Sequence, residues 1–252
     1  MTLYLHESIS PAVVKGARAQ GIVGIKSYPA GVTTNSSSGV LSYEPFYPVF
    51  TAMEQCGMVL NLHGECPSGK DITILNAESN FLPTLKSLHA RFPKLKVILE
   101  HCTTKDAIEA VRECGPNVVG TITEALVLAA LDGTGKFFMG SDSAPHDLSA
   151  KKGGTGKTAA GVFTQPYVTQ LVLGAFEEAI KRGVATEADV TKEILEGFLG
   201  GYGRKFYGIT DSSNEKIVLR KGVEVVRESF EGDGVQVIPF RKGQSTWSIE
   251  WK

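Results

Sequence analysis

The feature that most constrains this chain is a rhythm. Over roughly the first 140 residues, six short and nearly continuous apolar runs alternate with longer amphipathic stretches. The runs are residues 2–6, 21–26, 58–63, 95–101, 118–123 and 136–142. Each has the length of a strand and is apolar on both faces, as a strand covered on both sides must be. Helical patterns fill the gaps at 11–20, 44–56, 77–91, 103–114 and 124–131. Pro11 follows Ser10 as N1 follows an N-cap, and Thr103 to Asp106 open a helix in the same way. Repeated strand–helix alternation predicts right-handed βαβ units and a parallel sheet.

Length narrows the choice. A single parallel α/β barrel takes about 250 residues, and the chain has 252. Hydrophobic residues make up 42% and charged residues 21%, enough for a core without disulfides or a structural metal. The 26 basic and 27 acidic residues give a net charge of −1, which excludes a general nucleic-acid or membrane-surface binder. Cys56, Cys66, Cys102 and Cys114 form no CxxC pair and read as free thiols of a reducing compartment. No signal-peptide pattern opens the sequence, and no apolar run reaches the roughly 20 residues that span a bilayer. A cytoplasmic location is expected.

Beyond the sixth run, helices are expected at 165–182 and 187–199, then short strands at 216–220, 223–226, 235–240 and 246–251. The division expected is a barrel-like domain over 1–207, with a small β appendage over 208–252 packed on it.

The informative residues stand where the runs end. These are Lys26, His63, His101, Thr123 and Asp142. In a parallel barrel every strand C-terminus points to one face, and that face carries the active site. Two His and a carboxylate suit zinc or a similar divalent ion. Taken singly, each is ordinary: a hydrogen-bonded His, a solvated Lys, a capping Asp. Their recurrence at one topological position favours a metal site. His6 and His89 lack that support, and His89 reads as a helix-surface residue. Gly153 to Thr158 imitates a phosphate loop, but Lys151 stands where its first Gly belongs. Neither a preceding strand nor a helix at Lys157 is expected there.

Four segments carry a family resemblance: Gly24 to Asn35 (GIKSYPAGVTTN), Leu62 to Glu65 (LHGE), Leu99 to Lys105 (LEHCTTK) and Gly140 to His146 (GSDSAPH). In this order they resemble dihydroorotase of the stand-alone fungal and bacterial type, in the amidohydrolase superfamily. The resemblance implies a metal-dependent (β/α)8 barrel that interconverts L-dihydroorotate and N-carbamoyl-L-aspartate in pyrimidine synthesis. It implies a carboxylated Lys26 bridging two zinc ions. His63 and His101 are then ligands of one ion, and Asp142 is a ligand of the other and the general acid/base. His146 and the backbones of Ala144 and Ala160 hold the substrate. Thr33 and Thr34 belong to a loop that closes over it. A homodimer is expected.

Two departures from the family fall on functional parts. The family's first strand carries His-x-His, and no such motif occurs here. The chain opens on what corresponds to the family's third strand. After Thr121, Ile122 and Thr123, a Pro-His-His-type segment and a long loop give way directly to Glu124, Ala125 and Leu126. The barrel is therefore expected to be incomplete, with about six strands and one well-supported zinc site. Open strand edges invite pairing with another chain. The alternative to an active enzyme is a non-catalytic homologue that works in assembly with another chain.

Overall fold

A computed structural model describes every residue except 32–35, 37, 68, 70, 123–126, 155–157 and 211–214. The chain divides into two compact units. One comprises 1–122, 132–140 and 196–209; the other comprises 123–131, 141–195 and 210–252.

The first unit contains the six expected strands: β1 (Thr2–Tyr4), β2 (Gly24–Ser27), β3 (Val59–His63), β4 (Lys96–Cys102), β5 (Val118–Ile122) and β6 (Phe137–Met139). They form one sheet in the order β1-β2-β3-β4-β5-β6, and every pairing is parallel. The order never reverses. A doubly wound sheet reverses at its switch point, whereas a barrel adds strands in sequence. The sheet is thus part of a (β/α) barrel.

Helices α1 (Pro11–Ala19), α2 (Tyr47–Cys56), α3 (Ala77–Arg91) and α4 (Lys105–Glu113) connect consecutive strands. The start signals act as read. The Ser10 hydroxyl accepts the Val13 N–H ahead of Pro11, and the Thr104 hydroxyl accepts the Ala107 N–H. Leu60, Leu62, Val97, Leu99 and Val118 are fully buried. Burying a Leu or Val side chain contributes about 1.5–3 kcal/mol. A second cluster joins Val59, Ile98, Val119 and Phe138 across β3 to β6, covered by Tyr202, Phe206 and Tyr207.

The second unit holds α5 (Val127–Ala130), α6 (Leu148–Lys151), α7 (Val168–Lys181) and α8 (Lys192–Glu196), while α9 (Tyr202–Tyr207) lies in the first. The expected 187–199 helix is broken into a 3-10 turn, α8 and a π-type segment over 197–201. The π-type segment coincides with its Gly residues. A Cβ on Gly197 would collide with the Tyr202 ring, so close packing replaces regular helix there. In the tail, the two strands expected at 216–226 are one, β7 (Ile217–Val225), paired antiparallel with β10 (Ser245–Trp251). Gly222, which falls between the two expected strands, instead takes a positive φ inside one strand whose register shifts opposite Thr246 and Ser248. β8 (Phe230–Gly232) and β9 (Val235–Val237) form a further hairpin.

Candidate active site

Three strand ends of the first unit carry the expected ligands. Lys26 is on β2, His63 closes β3 and His101 stands next to last on β4. The His101 Nε2 and His63 Nδ1 atoms face each other at 2.7 Å, with ring centroids 4.3 Å apart. The Lys26 ammonium pairs with the Glu100 carboxylate and lies 4.4 Å from the Tyr28 ring centroid. His63 Nε2 contacts Glu65 Oε2 at 3.3 Å.

The backbone aims His101 unusually. Its φ is +44°, a left-handed conformation that a non-glycine residue adopts at some cost. The register between β4 and β5 shifts between Leu99 and Cys102, and that irregularity turns His101 out of the strand's alternation. Two ties hold it there. The His101 N–H donates to Thr121 Oγ1 at 2.9 Å. The buried Glu78 carboxylate of α3 accepts the N–H groups of Thr103 and Thr104 at 2.9 and 2.7 Å.

Burial pushes His101 down to about 3, helped by the neighbouring His63 and Lys26. Its imidazole is neutral at pH 7, so one ring nitrogen offers a lone pair. The Glu65 carboxyl is held below its ordinary range, chiefly by the hydrogen bond with His63. The two ring nitrogens are hydrogen-bonded to each other, and imidazole nitrogen is a donor type that zinc accepts. Among the described residues, no group of three or more His, Cys, Asp and Glu is gathered to hold a metal. A Lys26 ammonium is no ligand, and it becomes an anionic one only as a carbamate.

The sequence reading missed Glu100 and Asn61. Glu100 accepts from Lys26 and, at 3.0 Å, from Asn61 Nδ2, which also lies 2.6 Å from the Tyr207 hydroxyl. A signal was there. Asn61 stands two residues before His63, hence on the same face of β3, and is polar within an apolar run. Register pairs His63 with Glu100. His89 is also corrected: it is half-buried, and its Nε2 accepts the Gly115 N–H at 3.0 Å.

The remaining described site residues belong to the second unit. Asp142 is exposed and has a φ of +42°. Ser143 bridges Val162, and the Ala144 N–H donates to the Val162 carbonyl at 2.8 Å. Thr164 Oγ1 donates to the Ser141 carbonyl at 2.6 Å. Ala144 and His146 line a cavity of about 600 Å³ with Lys151, Gly161 and Phe163. Ala160, beside Gly161, is exposed. Thr33, Thr34 and Thr123 lie outside the described residues. The phosphate-loop imitation fails structurally, because Gly153 and Gly154 follow α6 rather than a strand. Its Lys157 lies outside the described residues.

A sequential parallel sheet with two imidazoles and a lysine at its strand ends is the arrangement of a barrel-type hydrolase. No family model matches the chain. A probable dihydroorotase of Schizosaccharomyces pombe is 44% identical over 285 residues, covering all of this chain and 80% of the relative. That alignment is longer than the chain, so the relative carries residues without a counterpart here. A crystal structure of Saccharomyces cerevisiae dihydroorotase with 5-fluoroorotic acid matches at TM-score 0.89 and 36% identity, covering 100% and 80% of the two chains. Campylobacter jejuni dihydroorotase matches at TM-score 0.81 and 29% identity, covering 99% and 77%. The chain belongs to the dihydroorotase family.

Proposed function

We propose that this chain is a zinc-dependent hydrolase that interconverts L-dihydroorotate and N-carbamoyl-L-aspartate in pyrimidine biosynthesis. One observation carries the reading: the His63 and His101 nitrogens face each other beside Lys26, on three adjacent strands of a barrel sheet. Family membership supplies the substrate class.

In this reading Lys26 is carboxylated, and Lys26, His63 and His101 hold one zinc ion. Asp142 belongs to a second site, for which fewer protein donors are present. When bound, zinc supplies a nucleophile at neutral pH and polarises the amide carbonyl. Asp142 accepts a proton at its carboxylate and returns it to the leaving ring nitrogen. His146 and the backbones of Ala144 and Ala160 hold the substrate, the Ala160 N–H taking its carboxylate, because the Ala144 N–H is already bonded to the Val162 carbonyl. Glu100 holds Lys26 by its ammonium until carboxylation replaces that charge. Four free cysteines support a cytoplasmic location. The outer edges of β1 and β6 support a dimeric assembly.

The second reading is a non-catalytic homologue acting through another chain. The lack, among the described residues, of a three-donor His, Cys, Asp and Glu group favours it. The experiment is L-dihydroorotate hydrolysis by the purified chain with zinc and bicarbonate, using Asp142→Ala as control. Turnover that disappears in the control supports the enzyme. Turnover no greater than the control, with zinc still bound, supports the second reading.

A further inference from the structure

Lys151 closes α6, and its side chain turns back onto the segment that carries Ala160. The ammonium donates to the Ala159 carbonyl at 2.6 Å and also to the Gly161 carbonyl. These two carbonyls flank Ala160. Peptide bonds here are trans, and in a planar trans peptide the C=O and the following N–H point in opposite directions. Drawing the Ala159 carbonyl toward Lys151 therefore turns the Ala160 N–H away from it. Drawing the Gly161 carbonyl in does the same for the Val162 N–H.

The segment is anchored on both sides of the clamp. The Ala159 N–H donates to the Ala150 carbonyl at 3.1 Å, and the Val162 carbonyl accepts the Ala144 N–H at 2.8 Å. Gly161 has a φ of +103°, and a Cβ there would stand 2.5 Å from the Ala144 Cβ. The two stretches thus approach to a distance that only glycine permits. Lys151 itself lines the cavity shared by Ala144, His146 and Gly161. One ammonium holds the carbonyls on both sides of Ala160 and places a positive charge on the cavity lined by Ala144, His146 and Gly161.

We infer that Lys151 is a positioning residue for the substrate carboxylate, fixing the direction of the Ala160 N–H through the two carbonyls that flank it. The inference rests on the function proposed above. It deepens that function by naming a group that sets affinity for the anion and takes no part in the chemical step.

The test is calorimetric binding of 5-fluoroorotate to the zinc-loaded chain, alongside L-dihydroorotate kinetics. Lys151→Met is expected to weaken 5-fluoroorotate binding about 10-fold, the scale of one hydrogen bond to a charged group. KM for L-dihydroorotate should rise by a similar factor, with kcat within about 2-fold, because uniform binding and not transition-state binding is lost. Lys151→Arg keeps the charge and two donors and should restore affinity to within about 3-fold of wild type. If Lys151→Met loses its cooperative thermal transition, Lys151→Gln is read by the same criteria. Unchanged affinity in the uncharged variant, or a loss confined to kcat, overturns the inference alone. A wild-type chain that binds no 5-fluoroorotate overturns the function reading, and the inference with it.

Discussion

The two sets of site residues are held by different physics. His63 and His101 sit at the ends of buried strands: His63 is placed by its ladder pairing with Glu100 and packed Leu and Val, and His101 by the same packed strand with the Thr121 tie at its irregular end. Ala144, His146 and Ala160 sit on irregular backbone, held by side chains that bond to main chain: Asp147, Lys151 and Thr164. A strand position inherits the stability of the whole sheet, whereas a loop position has only its local ties. Damage to the first set should therefore cost chemistry and fold together. Damage to the second should cost affinity while leaving the fold standing.

The largest expected effect is at a strand end. His101→Ala removes one of two facing donors and should reduce turnover by about 10²–10³-fold or more, as removal of a preorganised charge-stabilising group does. Zinc content after dialysis should fall in parallel. Retained zinc with retained turnover would remove His101 from the ligand set. Two residues earlier, the same strand shows the stability side of the comparison. Leu99 is fully buried, and Leu99→Ala should cost about 2–5 kcal/mol, read as a lower denaturation midpoint at unchanged m-value. A cost below about 1 kcal/mol would mean that the strand end is not packed as argued.

Legibility in the sequence followed the same split. The six strands were readable because a strand covered on both faces must be apolar throughout, and the runs are too short for buried helices. Lys26, His63 and His101 were readable because polar residues that terminate such runs are conspicuous. The last run extends to Asp142 in the sequence, yet β6 ends at Met139. Residues beyond it are held by Val162 and Thr164, partners some twenty positions away in sequence that no local pattern announces. The Lys26–Glu100 pair was hidden for a related reason, since it depends on the register of three strands. Gly222 misled because a lysine–glycine step looks the same in a turn and in a bulge. His89 misled because helical periodicity cannot show the Gly115 N–H arriving from a neighbouring turn.

The smallest expected effect sharpens the loop side. Asp147 precedes α6, and its carboxylate accepts the Ser149 N–H at 2.9 Å and the Gln236 N–H of β9 at 3.0 Å. It thereby ties the segment after His146 to the β8–β9 hairpin. Hydrogen bonds from Ser149 first, then Gln236, lower its carboxyl to about 2 from an ordinary 3.8. A depressed folded-state pKa means that the ionised form is favoured by folding. The contribution is therefore complete above the unfolded value of 3.8 and is lost as pH falls through about 2. Asp147→Asn should loosen the segment at neutral pH, seen as faster amide exchange at Ser149 and Gln236. The difference from wild type should shrink between pH 4 and pH 2, where wild type loses the same charge. Comparing variant with wild type at each pH cancels the other carboxylates that titrate in that window. A difference that stays constant across it would mean that packing around the hairpin, and not the Asp147 charge, holds the loop.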